Sequence, residues 1–130
     1  MSKKVNEQTE KLTINVNHVD LGKIDLLIEN GFFSNRSDFI RTSIRNELNK
    51  NDKYLEEKIV SQSFVLGIAK YHKSDFEAYL KDNKLMEMKY IGLLWIDQEV
   101  SLEIMKQTVK SINVKGTVIA SKEIKDYYGL

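Results

Sequence analysis

The segment Lys11–Asn17, "KLTINVN", alternates large apolar residues with polar ones, the period of a half-buried strand. It stands between a charged, polar start, "MSKKVNEQTE", and a stretch of helical spacing, with no second strand pattern in the first 50 residues. A lone strand leaves backbone N–H and C=O groups without partners, and even a two-stranded ribbon is marginal unless something packs on it. The least costly partner is a second copy of the same chain, pairing antiparallel about a two-fold axis. Leu12, Ile14 and Val16 then face inward onto helices. Lys11, Thr13 and Asn15 of both copies stand together on one outward surface.

The residues that follow supply those helices. Leu21, Ile24, Leu27 and Ile28 are helically spaced, and "ENGFF" closes the pattern with Gly31 where a left-handed C-terminal cap belongs. In "FFSNRSDFIRTSIRNELNK", Ser34 or Asn35 can cap a second helix whose apolar stripe is Phe39, Ile40, Ile44 and Leu48. The polar run "NKNDK", Asn49–Lys53, predicts a joint between an N-terminal unit of residues 1–50 and a C-terminal unit of residues 59–130.

In the second unit, "SQSFVLGIAKYH" reads as a strand, "SDFEAYLKDN" as a helix opened by a Ser74–Glu77 capping box, and "LMEMKYIGLLWID" as a strand. Residues 100–114 fit either a helix, through Ile104, Met105, Thr108, Val109 and Ile112, or alternating strands. The helix is favoured, followed by a turn at "VKG", a strand "TVIA" and a last helical turn after Ser121. No internal repeat is evident. The expected class is α+β.

"KLTINVN", the short helix ending in "ENG" and "SNRSDFIRTSIR" together resemble the ribbon-helix-helix DNA-binding proteins of the Arc, MetJ and CopG type, over roughly residues 10–50. The resemblance implies a dimer whose paired strands lie in the major groove of double-stranded DNA. It places Lys11, Thr13 and Asn15 at the base-reading positions, and the chemistry suits them. Lysine donates to guanine, asparagine can bond adenine, and threonine offers a hydroxyl and a methyl. It also places a phosphate clamp at Ser34, Asn35, Arg36 and Ser37, where free N–H groups and the helix dipole favour an anion.

Plainer readings exist for each feature. "KLTINVN" could be an edge strand with a solvated polar face, and "SNRS" an ordinary cap with an incidental arginine. Arg41 and Arg45 share a helical face and are best read as solvated or paired with Asp38 or Glu47. Twenty basic residues against 19 acidic leave a net charge of +1, so any DNA affinity must come from local placement. No cysteine is present and only one of the two histidines, His72, lies beyond residue 50, which departs from the nickel-responsive branch of the same family. No metal, no cofactor and no catalytic constellation is expected. Trp95, Tyr90, Tyr127 and Tyr128 could line a ligand pocket but fit a core or a dimer contact better. The tail "GTVIASKEIKDYYGL", after "YIGLLWID", resembles the C-terminal extensions of some CopG-like regulators and implies an oligomerisation or sensing domain.

The expectation is therefore a homodimeric, sequence-specific DNA-binding transcriptional regulator, a repressor or recruiter, whose C-terminal domains can join dimers into larger assemblies. The alternative is an antitoxin that regulates itself through the same domain and neutralises a toxin partner. With no apolar run long enough for a bilayer, no membrane is expected and the cytoplasm is the default location.

Overall fold

The computed structural model describes residues 9–130; residues 1–8, the start of the polar tail, lie outside them. Among the described residues are six helices and one three-stranded sheet, an α+β architecture. The chain divides into two compact units, one of residues 11–61 and one of residues 62–130 with which the described residues before Lys11 are grouped.

The N-terminal unit holds three helices: α1 (His18–Glu29), α2 (Arg36–Lys50) and α3 (Asp52–Ser61). Asn17 starts α1 by accepting the Asp20 N–H at 2.8 Å, while its own amide donates to the Asp20 carboxylate at 2.9 Å. Gly31, at φ +82°, ends it as expected, with the N–H groups of Gly31 and Phe32 closing back onto Ile28 and Leu27. The run Asn49–Lys53 is not a loop. It is a corner one residue wide, at Asn51, between α2 and a third helix that the sequence did not announce. None of the three helices has a fully buried residue. The predicted stripe of α1 is only half-buried, and on α2 Ile40, Ile44 and Leu48 are exposed.

The C-terminal unit alternates strand and helix: β1 (Val65–Tyr71), α4 (Lys73–Asp82), β2 (Met86–Ile96), α5 (Leu102–Thr108), β3 (Val109–Ile119) and α6 (Lys122–Tyr128). The strands are parallel in the order β1-β2-β3. One apolar cluster joins Phe76 of α4, Met105 of α5 and Ile124 of α6 to Met88, Leu94 and Ile96 of the central strand. The three helices therefore share a core on one side of the sheet. Inside it, Thr108 bonds the Ile104 carbonyl at 2.7 Å, and the Tyr128 hydroxyl donates to the carbonyls of Met105 and Val109 at 3.0 and 2.8 Å.

Three sequence readings need correction here. The start of α4 is set by His72 and Asp75, not by Ser74 and Glu77: the His72 N–H donates to the Asp75 carboxylate at 2.7 Å. The disputed region, residues 100–114, is both helix and strand, α5 passing directly into β3. No turn forms at "VKG", because Gly116 sits inside β3.

A repeat is present as well. Gly67, Gly92 and Gly116 lie side by side across the sheet, at φ +130°, +138° and +127°. They mark three successive strand-helix units. Tyr71 is in register with Ile96, six residues beyond Tyr90, so flat strands would hold the two tyrosines about 20 Å apart. Their hydroxyls nonetheless bond and their ring centres are 6.5 Å apart. The sheet is creased along the glycine row that lies between them.

Candidate nucleic-acid interface

Residues 11–17 form no β-ladder in the single chain. Lys11, Thr13 and Asn15 are exposed, and so are the apolar residues between them, Leu12 at 79% and Ile14 at 66%. An alternating segment with both faces bare has the pattern of a strand and lacks the layer that would bury it. Asn17 fixes where it ends, since its cap turns the chain into α1.

Ser34, Asn35, Arg36 and Ser37 are brought together at the start of α2, and all four are exposed. Asn35 is the cap: its side chain accepts the Asp38 N–H at 2.8 Å, while the Asp38 carboxylate accepts the Ser34 N–H at 2.9 Å. This reciprocal pair consumes the third N–H of the helix and leaves those of Arg36 and Ser37 as its unbonded first-turn donors. Phe33 packs edge-on against Phe39, ring centres 5.0 Å apart, and fixes the angle at which the chain enters.

Arg36 is committed to a structural contact. Its Nε and Nη2 each donate to the Asp25 carboxylate at 2.9 Å, a two-pronged bond from α2 back to α1. The hydrogen bonds from Arg36 hold Asp25 below its usual carboxylate range and, in return, raise the arginine. Nη1 takes no part in this contact. Arg41 and Arg45 are exposed, and neither forms the ion pair considered for it; Glu47 meets Lys50 instead, at 3.6 Å.

Sequence reasoning missed Asn17, Asp25 and Asp38 as organisers of this region. Asp38 was legible, three residues beyond Asn35. Asp25 was not, since an ion pair eleven residues apart across a turn has no sequence period.

In the C-terminal unit the aromatic residues mostly pack. Tyr90 bonds Tyr71, Trp95 lies against His72, and Tyr128 is tied to backbone carbonyls, where burial pushes its hydroxyl up to about 12. Tyr127 borders an open cleft with Glu103, Glu123 and Asp126, its ring covered by the Lys106 ammonium at 4.7 Å. His72 meets Asp97 at 3.3 Å, and no group of three or more potential metal-binding side chains occurs among the described residues.

The sequence profile of the ribbon-helix-helix transcriptional regulator family matches residues 7–125, nearly the whole chain. The chain belongs to this family. The match extends well past α2, so the C-terminal unit is part of what the family shares. No curated protein and no solved structure matches the chain. No helix among the described residues is long and apolar enough to cross a membrane.

Proposed function

We propose that this ribbon-helix-helix regulator acts as a homodimer that binds double-stranded DNA sequence-specifically, with Lys11–Asn17 of two copies paired as a ribbon in the major groove. The observation that carries the reading is the bareness of the N-terminal unit. Leu12, Ile14, Ile44 and Leu48 are exposed, no residue of α1, α2 or α3 is fully buried, and residues 11–17 pair with no strand. An amphipathic strand and two amphipathic helices without a core need a second copy to supply one. Antiparallel pairing of the segment satisfies the strand's backbone groups and turns the apolar residues onto the helices.

The same pairing puts Lys11, Thr13 and Asn15 of both copies on the opposite face, where they read base edges. At each end of the ribbon the first turn of α2 offers the N–H groups of Arg36 and Ser37, the Ser34 and Ser37 hydroxyls and the remaining edge of the Arg36 guanidinium to a phosphate. Asp38, in the same first turn, opposes an anion there. The base contacts therefore supply more of the binding than they would beside an uncompensated helix end. The protein acts by binding, with no bond made or broken.

Selection of bound sequences from random duplex DNA tests this reading, coupled to sedimentation at micromolar protein. A dimer that enriches one motif, in inverted or directly repeated half-sites, is the expected result. A monomer, or a pool that stays random, overturns it.

A further inference from the structure

β1 is an edge strand: among the described residues it has one neighbouring strand, β2. Unpaired strand edges are usually blunted by charge, as on β3, where Lys110, Ser111, Asn113 and Lys115 are exposed. On β1 the exposed residues are Val65, Leu66 at 63%, Gly67, Ile68 at 58% and, near its end, one charged residue, Lys70.

The direction of the backbone groups limits what can pair there. The Tyr71 carbonyl accepts the Asp97 N–H at 3.0 Å, and the Gly67 carbonyl lies against Gly92, so the odd-numbered residues turn their carbonyls to β2. By the alternation of a strand, Leu66 and Ile68 turn theirs to the open side. The glycine row points the same way. A Cβ on Gly116 would meet the Gly92 carbonyl oxygen at 2.1 Å, and a Cβ on Gly92 would meet that of Gly67 at the same distance, so each glycine leaves room for the strand before it. Gly67 comes first in the row, and a Cβ there would meet nothing within 4 Å. The space it keeps clear faces the open edge.

We infer that β1 is a self-association edge, pairing antiparallel with β1 of a second copy about a two-fold axis at Gly67. In that register Leu66 of one copy faces Ile68 of the other, and the two residues exchange both backbone bonds. Gly67 faces Gly67 in the close, non-bonded position. The creases of the two sheets coincide, so three strands and three strands make one continuous sheet. The charged residue of the strand, Lys70, falls outside the central pairs and at opposite ends of the two copies, so like charges do not meet. The interface lies outside the N-terminal ribbon and does not depend on the DNA-binding reading.

The chain has no cysteine, which makes disulfide trapping clean. Two full-length variants, Leu66→Cys and Ile68→Cys, differing in an affinity tag, are co-expressed and mildly oxidised; Val60→Cys serves as an exposed control. Opposite bonded pairs hold their Cα atoms about 5.5 Å apart, within disulfide reach. Leu66 to Leu66, or Ile68 to Ile68, is two positions out of register and lies roughly 8 Å apart, beyond that reach. The expected result is a Leu66→Cys–Ile68→Cys heterodisulfide that forms at least tenfold faster than either homodisulfide or the Val60→Cys control. Equal rates for all combinations, or homodisulfides faster than the heterodisulfide, overturn the assignment. Failure here leaves the duplex selection untouched.

Discussion

Single residues show how differently one amino-acid type can matter. Gly92 and Gly116 combine a positive φ with a neighbouring carbonyl 2.1 Å from any Cβ, whereas Gly67 has only the φ. Gly92→Ala and Gly116→Ala should each lower stability by about 3 kcal/mol or more, and Gly67→Ala by roughly 1–3 kcal/mol, the strain alone. Chemical denaturation of the three variants measures this; equal losses at all three would mean that the close approach costs nothing. Arg36 makes a structural contact and is also a proposed phosphate donor, and the two can be separated. Asp25→Asn weakens only the contact between α1 and α2, while Arg36→Ala also removes the proposed donor. In DNA titrations at fixed salt, Arg36→Ala should weaken specific and random duplexes alike, and Asp25→Asn should weaken neither by more than about 0.5 kcal/mol. A loss shared equally by both variants would make the arginine purely structural.

At the scale of elements, what could be read from sequence was whatever has a local cause. The stripe of α1, its end at Gly31, one of the two candidate caps of α2, Asn35, and the presence of β1 and β2 follow from period and turn chemistry, and the structure has them, although β1 starts at Val65 rather than at Ser61. Features set by neighbouring strands were missed. Gly116 looks like a turn in isolation, but in β3 it continues a row begun by Gly67 and Gly92. The repeat was hidden because the three strand-helix units share little beyond the glycine. Helix α3 was lost because "NKNDK" contains no residue that distinguishes a corner from a linker. For the candidate site, both patches were named from sequence and both are exposed, while the Asp25 and Asp38 contacts that shape the second were not foreseen. The segment Lys11–Asn17 carries its own prediction. A proline at Ile14 removes a backbone donor from the middle of the proposed ribbon, so Ile14→Pro should abolish pairing of the N-terminal units and DNA binding together while the C-terminal unit keeps its helical and sheet signals. Circular dichroism of the full chain and sedimentation of residues 1–61 follow the two effects; a fragment that stays dimeric with the proline would place the interface elsewhere.

For the whole molecule, the two units have unlike cores. The C-terminal unit buries Phe76, Met88, Leu94, Ile96, Met105 and Ile124 within one chain, whereas the N-terminal unit buries nothing fully. One unit is complete in a single copy and the other is not. A fragment of residues 1–61 should therefore be folded only as a dimer, with a melting temperature that rises with protein concentration. A fragment that melts independently of concentration would contradict the need for a second copy. The central claim is that Lys11, Thr13 and Asn15 read sequence from the face of a ribbon whose other face holds the dimer together. The most direct measurement is duplex selection with the triple variant Lys11→Ala, Thr13→Ala, Asn15→Ala beside the wild type, after sedimentation has shown both to be dimers. The account predicts a wild type that enriches one motif and a variant that is dimeric, still binds DNA in low salt and enriches none. A variant that enriches the same motif with the same affinity would contradict it.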